Sequence, residues 1–148
     1  MDDLDRAIVA QLAADARVSL ATLARRLKVA RSTLQSRLER LEGSGVITGY
    51  TVKLGEIGQR ERIRAVVLLT IDLRMQAGIV NRLKGMPEVE TIHSTSGRVD
   101  LILSVAAATT QALDHVLDAI GAVPGVRDSE SFIQLTTKLD RAVAAPPA

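Results

Sequence analysis

Apolar residues recur at helical spacing through the first third of the chain. Leu4, Ile8 and Leu12 share one face of a first helix, which the acids of "DDLD" open at the favourable end of its dipole. "ADARVS" breaks the period. Ser19 is placed to cap a second helix that buries Leu20, Leu23, Ala24 and Leu27. After a short break at "KVA", Leu34, Leu38 and Leu41 define a third helix, and "GSG" stops it. "VITGYTVKL" alternates around Thr48-Gly49 and predicts a small hairpin, or wing.

The period then changes from helical to strand-like. In "IRAVVLLTIDL", Ile63, Ala65, Val67, Leu69 and Ile71 face one way and Val66 and Leu68 the other, so both sides of this strand are partly covered. "MQAGIVNRLKG" is a helix ended by glycine. "VETIHSTSG" and "DLILSVA" are strands joined at "SGRV". A second helix, capped by Thr109 or Thr110, turns Leu113, Val116, Leu117 and Ile120 inward, and "VRDSESFIQLTTK" is a last strand. "LKGMPEV" and "IGAVPGV" echo each other, with Pro87 and Pro124 in equivalent places. The order is β-α-β-β-α-β. The fold class is therefore α+β: an N-terminal winged helix-turn-helix and a C-terminal ferredoxin-like domain. The expected boundaries are 1–53 for the first domain, 54–62 for a linker, 63–139 for the second domain and 140–148 for a disordered Pro/Ala tail. Two helices cover one sheet face; the other offers Val66, Leu68 and Ile102 for pairing with a second copy.

Charge sharpens this picture. Residues 1–60 carry ten Lys/Arg against seven Asp/Glu, and the excess concentrates in positions 25–40. With the leucines inward, Ser32, Ser36, Glu39 and Arg40 point outward from the third helix, and Arg31, Gln35 and Arg37 flank them. In a helix-turn-helix the N-terminal turns of that helix meet base edges in the major groove of double-stranded DNA. Expected DNA contacts are Arg25, Lys28, Arg31, Ser32, Thr33, Gln35, Ser36, Arg37 and Arg40. Arg31 and Gln35 read bases, while Arg25, Arg37 and Arg40 meet phosphate. Solvated surface charge is the plainer alternative; the conjunction of three helices, short turn, hairpin and basic third helix favours DNA.

Composition removes other classes. There is no cysteine, hence no disulfide, thiolate metal site or cysteine nucleophile. Aromatics are 1% of the chain, which argues against stacking platforms for single strands. His93 and His115 lack ligand spacing, so no metal is expected. No nucleophile elbow or phosphate loop appears, so no cofactor, catalytic residue or enzymatic activity is expected. "MDDLDRAIVA" does not have a signal-peptide pattern, and "AVVLLTI" is too short for a bilayer, which predicts a cytoplasmic protein without membrane association.

Taken together, "LDRAIVAQLAADARVSLATLARRL", "STLQSRLERLEGSGVITGY", "PEV", "SGRVD" and "VPGV" resemble, in order and spacing, the leucine-responsive/asparagine-regulator (Lrp/AsnC, feast/famine) family. The resemblance covers nearly the whole chain. It implies a transcription regulator that binds DNA as a dimer, commonly assembles into octamers, and holds an effector, usually an amino acid, at contacts between dimers. It implies effector contacts at Thr95, Gly97, Arg98, Asp100, Asp118 and Thr137. Asp100 would accept the ligand's ammonium, and backbone N–H groups near Gly97 and Arg98 would take its carboxylate.

Two departures stand out. The family's usual Gly-Leu-Ser before the third helix is here Lys28-Val29-Ala30. That removes a cap worth about 1 kcal/mol unless Ser32 caps a later start, and it asks a lysine to take a glycine's backbone angle or shift the turn. Val99 and Leu101 flank Asp100 where the family often carries an aromatic. The alternatives are an effector-independent architectural DNA-binding protein, and a small ferredoxin-like-fold enzyme with an accessory domain.

Overall fold

The computed structural model describes residues 1–59 and 62–140. They form two compact units: Met1–Lys53 together with the segment from Lys138, and Leu54–Thr137.

The first unit holds α1 (Asp3–Ala14), α2 (Leu20–Leu27) and α3 (Arg31–Gly43). Its core is small and aliphatic. Ile8, Leu23, Ala24, Leu34 and Leu41 are buried, with Leu4, Leu12 and Leu38 packed against them. Each such leucine or isoleucine contributes roughly 1.5–3 kcal/mol when fully buried. The caps carry part of the remaining stability. Asp2 accepts from the Asp5 N–H at 2.9 Å and the Asp5 carboxylate accepts from the Asp2 N–H at 3.0 Å, a reciprocal box that starts α1. Ser19 Oγ accepts from the Thr22 N–H at 3.1 Å and starts α2.

α2 ends with Lys28 in the left-handed region, φ 55°. The Val29 N–H reaches back to the Ala24 carbonyl at 3.0 Å, a closure that usually places glycine where Lys28 stands. The turn is therefore kept and the lysine takes the angle. α3 starts at Arg31 behind Ala30, which offers no side-chain cap, so Ser32 does not cap a later start.

The expected hairpin over "VITGYTVKL" is corrected: residues 46–54 contain no strand. Gly45 adopts φ +76° and turns the chain back over the end of α3. The Ile47 N–H then donates to the Leu41 carbonyl at 3.0 Å, and the Tyr50 hydroxyl donates to Glu42 Oε1 at 2.7 Å. Ile47 of the expected first arm and Tyr50 of the second are thus bonded to α3, and an isolated two-stranded ribbon is marginal in any case. The expected linker is not featureless either, because α4 (Glu56–Gln59) occupies one turn of it. Its positions 60 and 61, and positions 141–148 of the expected tail, lie outside the described residues.

In the second unit β1 (Ile63–Ile71), α5 (Gln76–Lys84), β2 (Val89–Ser94), β3 (Leu101–Ala107), α6 (Thr110–Gly121) and β4 (Val126–Ile133) follow in order. A 3-10 turn over Leu73–Met75 leads into α5. The four strands form one antiparallel sheet in the order β2-β3-β1-β4. Ala65, Val67, Leu69 and Ile71 are buried with Leu101, Leu103 and Val105 against Ile79 and Leu83 of α5 and Leu113 and Ile120 of α6. Thr109 is the cap of α6, its Oγ1 accepting from the Ala112 N–H at 3.0 Å.

Gly125 fixes the second of the two echoed turns. It sits at φ +96°, and a Cβ there would come 2.9 Å from Ile79 Cδ1 and 3.0 Å from Met75, so this position needs glycine twice over. The last strand is shorter than expected. The Gln134 N–H still donates to the Arg64 carbonyl, but β1 begins at Ile63 and offers almost no partner beyond. Among the described residues no helix is long and apolar enough to cross a membrane.

Candidate nucleic-acid interface and effector loop

The basic residues around the α2–α3 turn divide into two groups. Arg25, Lys28 and Arg31 are exposed and make no side-chain hydrogen bond or ion pair among the described residues. Ser32, Thr33, Gln35 and Ser36 are exposed beside them on the first turns of α3. Gln35 is held: its Nε2 donates to Glu39 Oε1 at 3.2 Å. Arg26 is turned toward α1, where its Nη1 meets Gln11 Oε1 at 3.2 Å.

Arg37 and Arg40 belong to a different arrangement. The Asp5 side chain is only 1% exposed, yet it carries a charge. Such a group needs both of its oxygens met by donors. Arg37 Nη1 lies 3.1 Å from its Oδ1, and Arg40 Nη2 lies 2.6 Å from its Oδ2, which also accepts the Asp2 N–H. Arg37 also pairs with the Asp2 carboxylate. The Arg37 hydrogen bond, aided by the Asp5 N–H, holds the Asp2 carboxyl at about 2, below its usual 3.8. Asp5 is likewise lowered, by the Asp2 N–H first and then by the two guanidiniums, against the opposing effect of burial. Arg37 is raised by the same partners. Two of the nine residues expected at DNA therefore join α3 to the start of α1. Asp2 and Asp5 were missed in the sequence because "DDLD" already had a sufficient role as a helix start.

In the second unit, the β2–β3 loop is shaped by backbone bonds. The Thr95 N–H donates to the Asp100 carbonyl at 3.1 Å, and the Asp100 N–H to the Leu69 carbonyl at 2.8 Å. The Ile71 N–H donates to Asp100 Oδ2 at 2.9 Å. Asp100 is thus bonded through its N–H, its carbonyl and one carboxylate oxygen, clipping the loop to the end of β1. Gly97 takes φ +121° with open space where a Cβ would be. Arg98 reaches Glu130 of β4 at 3.8 Å, both largely exposed.

The six expected effector residues are not brought together within one chain. Thr95, Gly97, Arg98 and Asp100 share the loop. Thr137 follows β4 at the other end of the sheet, since Ala65 pairs with Ile133 while Leu69 pairs with Leu101. Asp118 lies on the outer side of α6, lining a shallow depression with Pro87, Glu88, Thr109 and His115. A further charged group escaped the sequence reading. Asp72 accepts from the Arg74 side chain at 2.9 Å, lies 3.7 Å from Arg127, and is lowered chiefly by the Arg74 bond.

Comparison with known proteins gives this geometry a context. Residues 1–42 match the model of the AsnC-type helix-turn-helix domain, and residues 64–143 that of the Lrp/AsnC ligand binding domain. The HTH-type transcriptional regulator LrpA of Mycobacterium tuberculosis is 34% identical over 142 residues, covering 95% of both chains. The solved structure of the feast or famine regulatory protein of M. tuberculosis complexed with L-methionine superposes with a TM-score of 0.86 at 34% identity, covering 98% of this chain and 99% of that one. E. coli AsnC shares the fold, with a TM-score of 0.87 over 97% of each chain at 24% identity. The three-helix unit with its basic turn, the βαββαβ unit and these matches lead to one conclusion: the chain belongs to the Lrp/AsnC family of DNA-binding transcription regulators.

Proposed function

We propose that this regulator binds double-stranded DNA through the α2–α3 edge as a dimer, and that an amino acid modulates its DNA affinity or assembly. The observation that carries the DNA reading is the trio Arg25, Lys28 and Arg31. They are exposed and without a partner among the described residues, next to the hydroxyl and amide groups of Ser32, Thr33, Gln35 and Ser36. Unpaired cations free to displace counterions supply affinity, and the polar groups on the first turns of α3 supply base contacts. Arg37 contributes to the shape of this surface rather than to the contacts. Arg40, 58% exposed, keeps an outward side for phosphate.

The dimer forms through the sheet face that the helices leave open. Val66, Leu68 and Ile102 are only half-buried there, and Phe132 is 50% exposed. An apolar face of this kind is covered in stable proteins. Dimers join further, to an octamer, and the effector site is completed where they meet. The separation of Thr95, Gly97, Arg98 and Asp100 from Asp118 and Thr137 within one chain supports a site shared between copies. The methionine complex of the 34% identical relative supports an amino acid with an apolar side chain as ligand.

One experiment addresses ligand and assembly together. The full chain is screened by thermal shift against the twenty amino acids, with light-scattering mass and duplex affinity at fixed salt measured beside it. Stabilisation by methionine or a similar amino acid, accompanied by altered mass or affinity, is expected. Stabilisation by none of the twenty would leave an effector-independent DNA protein.

A further inference from the structure

We propose that Glu39 is a specificity-determining positioning residue. By accepting from the Gln35 amide it fixes the edge that Gln35 presents to a base, and so selects adenine. This rests on the reading of α3 as the helix that meets base edges.

Gln35 and Glu39 are four residues apart on α3, both exposed, with Gln35 Nε2 3.2 Å from Glu39 Oε1. At that spacing two side chains are neighbours on one helix face. An ionised carboxylate only accepts, so it fixes which end of the amide turns toward it. A free glutamine exchanges its donor and acceptor ends by rotating its amide. Held by Glu39, the NH2 group spends one N–H on the carboxylate. The other N–H lies on the same side as Oε1 and makes with it a donor–acceptor edge. Adenine offers the complement in the major groove, N7 as acceptor and N6 as donor, and a glutamine pairs with both. Arg31, one turn earlier on the same line, is exposed and unpaired among the described residues, so it does not draw on Gln35 Oε1.

The same pairing explains an acid on the outward side of a helix that faces a polyanion. Glu39 is the ninth residue of α3, beyond the N-terminal turns that meet bases, so its effect passes through Gln35. Its charge weakens attraction for every duplex alike; its bond to Gln35 acts on one base.

The test selects from a pool of randomised duplexes with the full chain and its variants at one salt concentration. The parent is expected to enrich adenine at one position per half-site by about tenfold, the scale of one bidentate base contact. Glu39→Ala should reduce that preference to about threefold or less, because the amide rotates freely again. Glu39→Gln removes the same charge but keeps an acceptor oxygen, and should retain the preference. Equal preference in the parent and both variants overturns the proposal, leaving only the field of the charge. Gln35→Ala separates the underlying reading from the proposal. If that variant leaves every base preference intact, α3 does not read bases through Gln35 and both fall; if it removes a preference that Glu39→Ala keeps, only the role of Glu39 falls.

Discussion

Arg40 of α3 places its Nη2 2.6 Å from Oδ2 of Asp5, a carboxylate almost sealed from solvent at the start of α1. The helix proposed to meet DNA is therefore fixed to the first helix by charge as well as by leucine. This divides the basic residues into those paired with acids and those without a partner among the described residues, and each group carries its own expectation. Arg25→Ala should weaken all duplexes alike and reduce the slope of log affinity against log salt by about 0.9. Arg37→Ala should lower the melting temperature, because Asp5 loses a donor while buried. Below that melting temperature its salt slope should match the parent. Thermal melts and salt titrations of the two variants check this; a slope change of one ion in Arg37→Ala would place Arg37 at phosphate after all.

Acid should loosen the same junction. The Asp2 carboxyl titrates at about 2 when folded and at 3.8 when free. A depressed folded value contributes stability that is fully present above 3.8 and is lost as pH falls toward 2. Helical ellipticity should decline over that window, and Asp2→Asn should show a smaller decline from a lower starting stability.

Tyr50 offers a second titration of opposite sign. Partial burial and its bond to Glu42 push its hydroxyl up to about 12 from 10.0. Its contribution to stability is therefore present below pH 10 and lost as pH rises toward 12. It is the single tyrosine, without tryptophan, so phenolate absorbance reports it alone. Glu42→Gln should move the midpoint down toward the ordinary value.

The α2–α3 turn can be improved at two positions. Lys28→Gly relieves a left-handed lysine and should stabilise by about 1 kcal/mol, while weakening DNA binding through the lost cation. Ala30→Ser supplies the missing cap and should add about 1 kcal/mol. Chemical denaturation of both variants measures this. No gain from Ala30→Ser would mean that the start of α3 is already satisfied by solvent.

Asp100 separates a structural role from ligand binding. Asp100→Asn keeps an acceptor for the Ile71 N–H and should retain most of the stability, whereas Asp100→Ala leaves that N–H unpaired and should cost about 1–3 kcal/mol. If the carboxylate also holds an effector ammonium, Asp100→Asn alone should abolish ligand-induced stabilisation in a well-folded chain. Full retention of the thermal shift in Asp100→Asn would confine this residue to the clip.

By itself the sequence determined what depends on neighbours along the chain. The leucine spacing of α1 to α3, the cap at Ser19, and the alternation of β1 that buries Ala65, Val67, Leu69 and Ile71 are all local patterns, whereas the choice of Thr109 over Thr110 as the cap of α6 came from the structure. So are the stops at Pro87 and Pro124. The tertiary structure decided what depends on how elements cross. Asp5 and Arg40 are 35 residues apart, and Asp100 and Ile71 are 29 apart. No spacing rule joins such pairs, because the angle between α1 and α3 and the register of β1 against β3 bring them together. The wing failed for the same reason: alternation marks residues able to form a strand, but a ladder needs a partner, and the chain after Gly45 bonds to α3 instead.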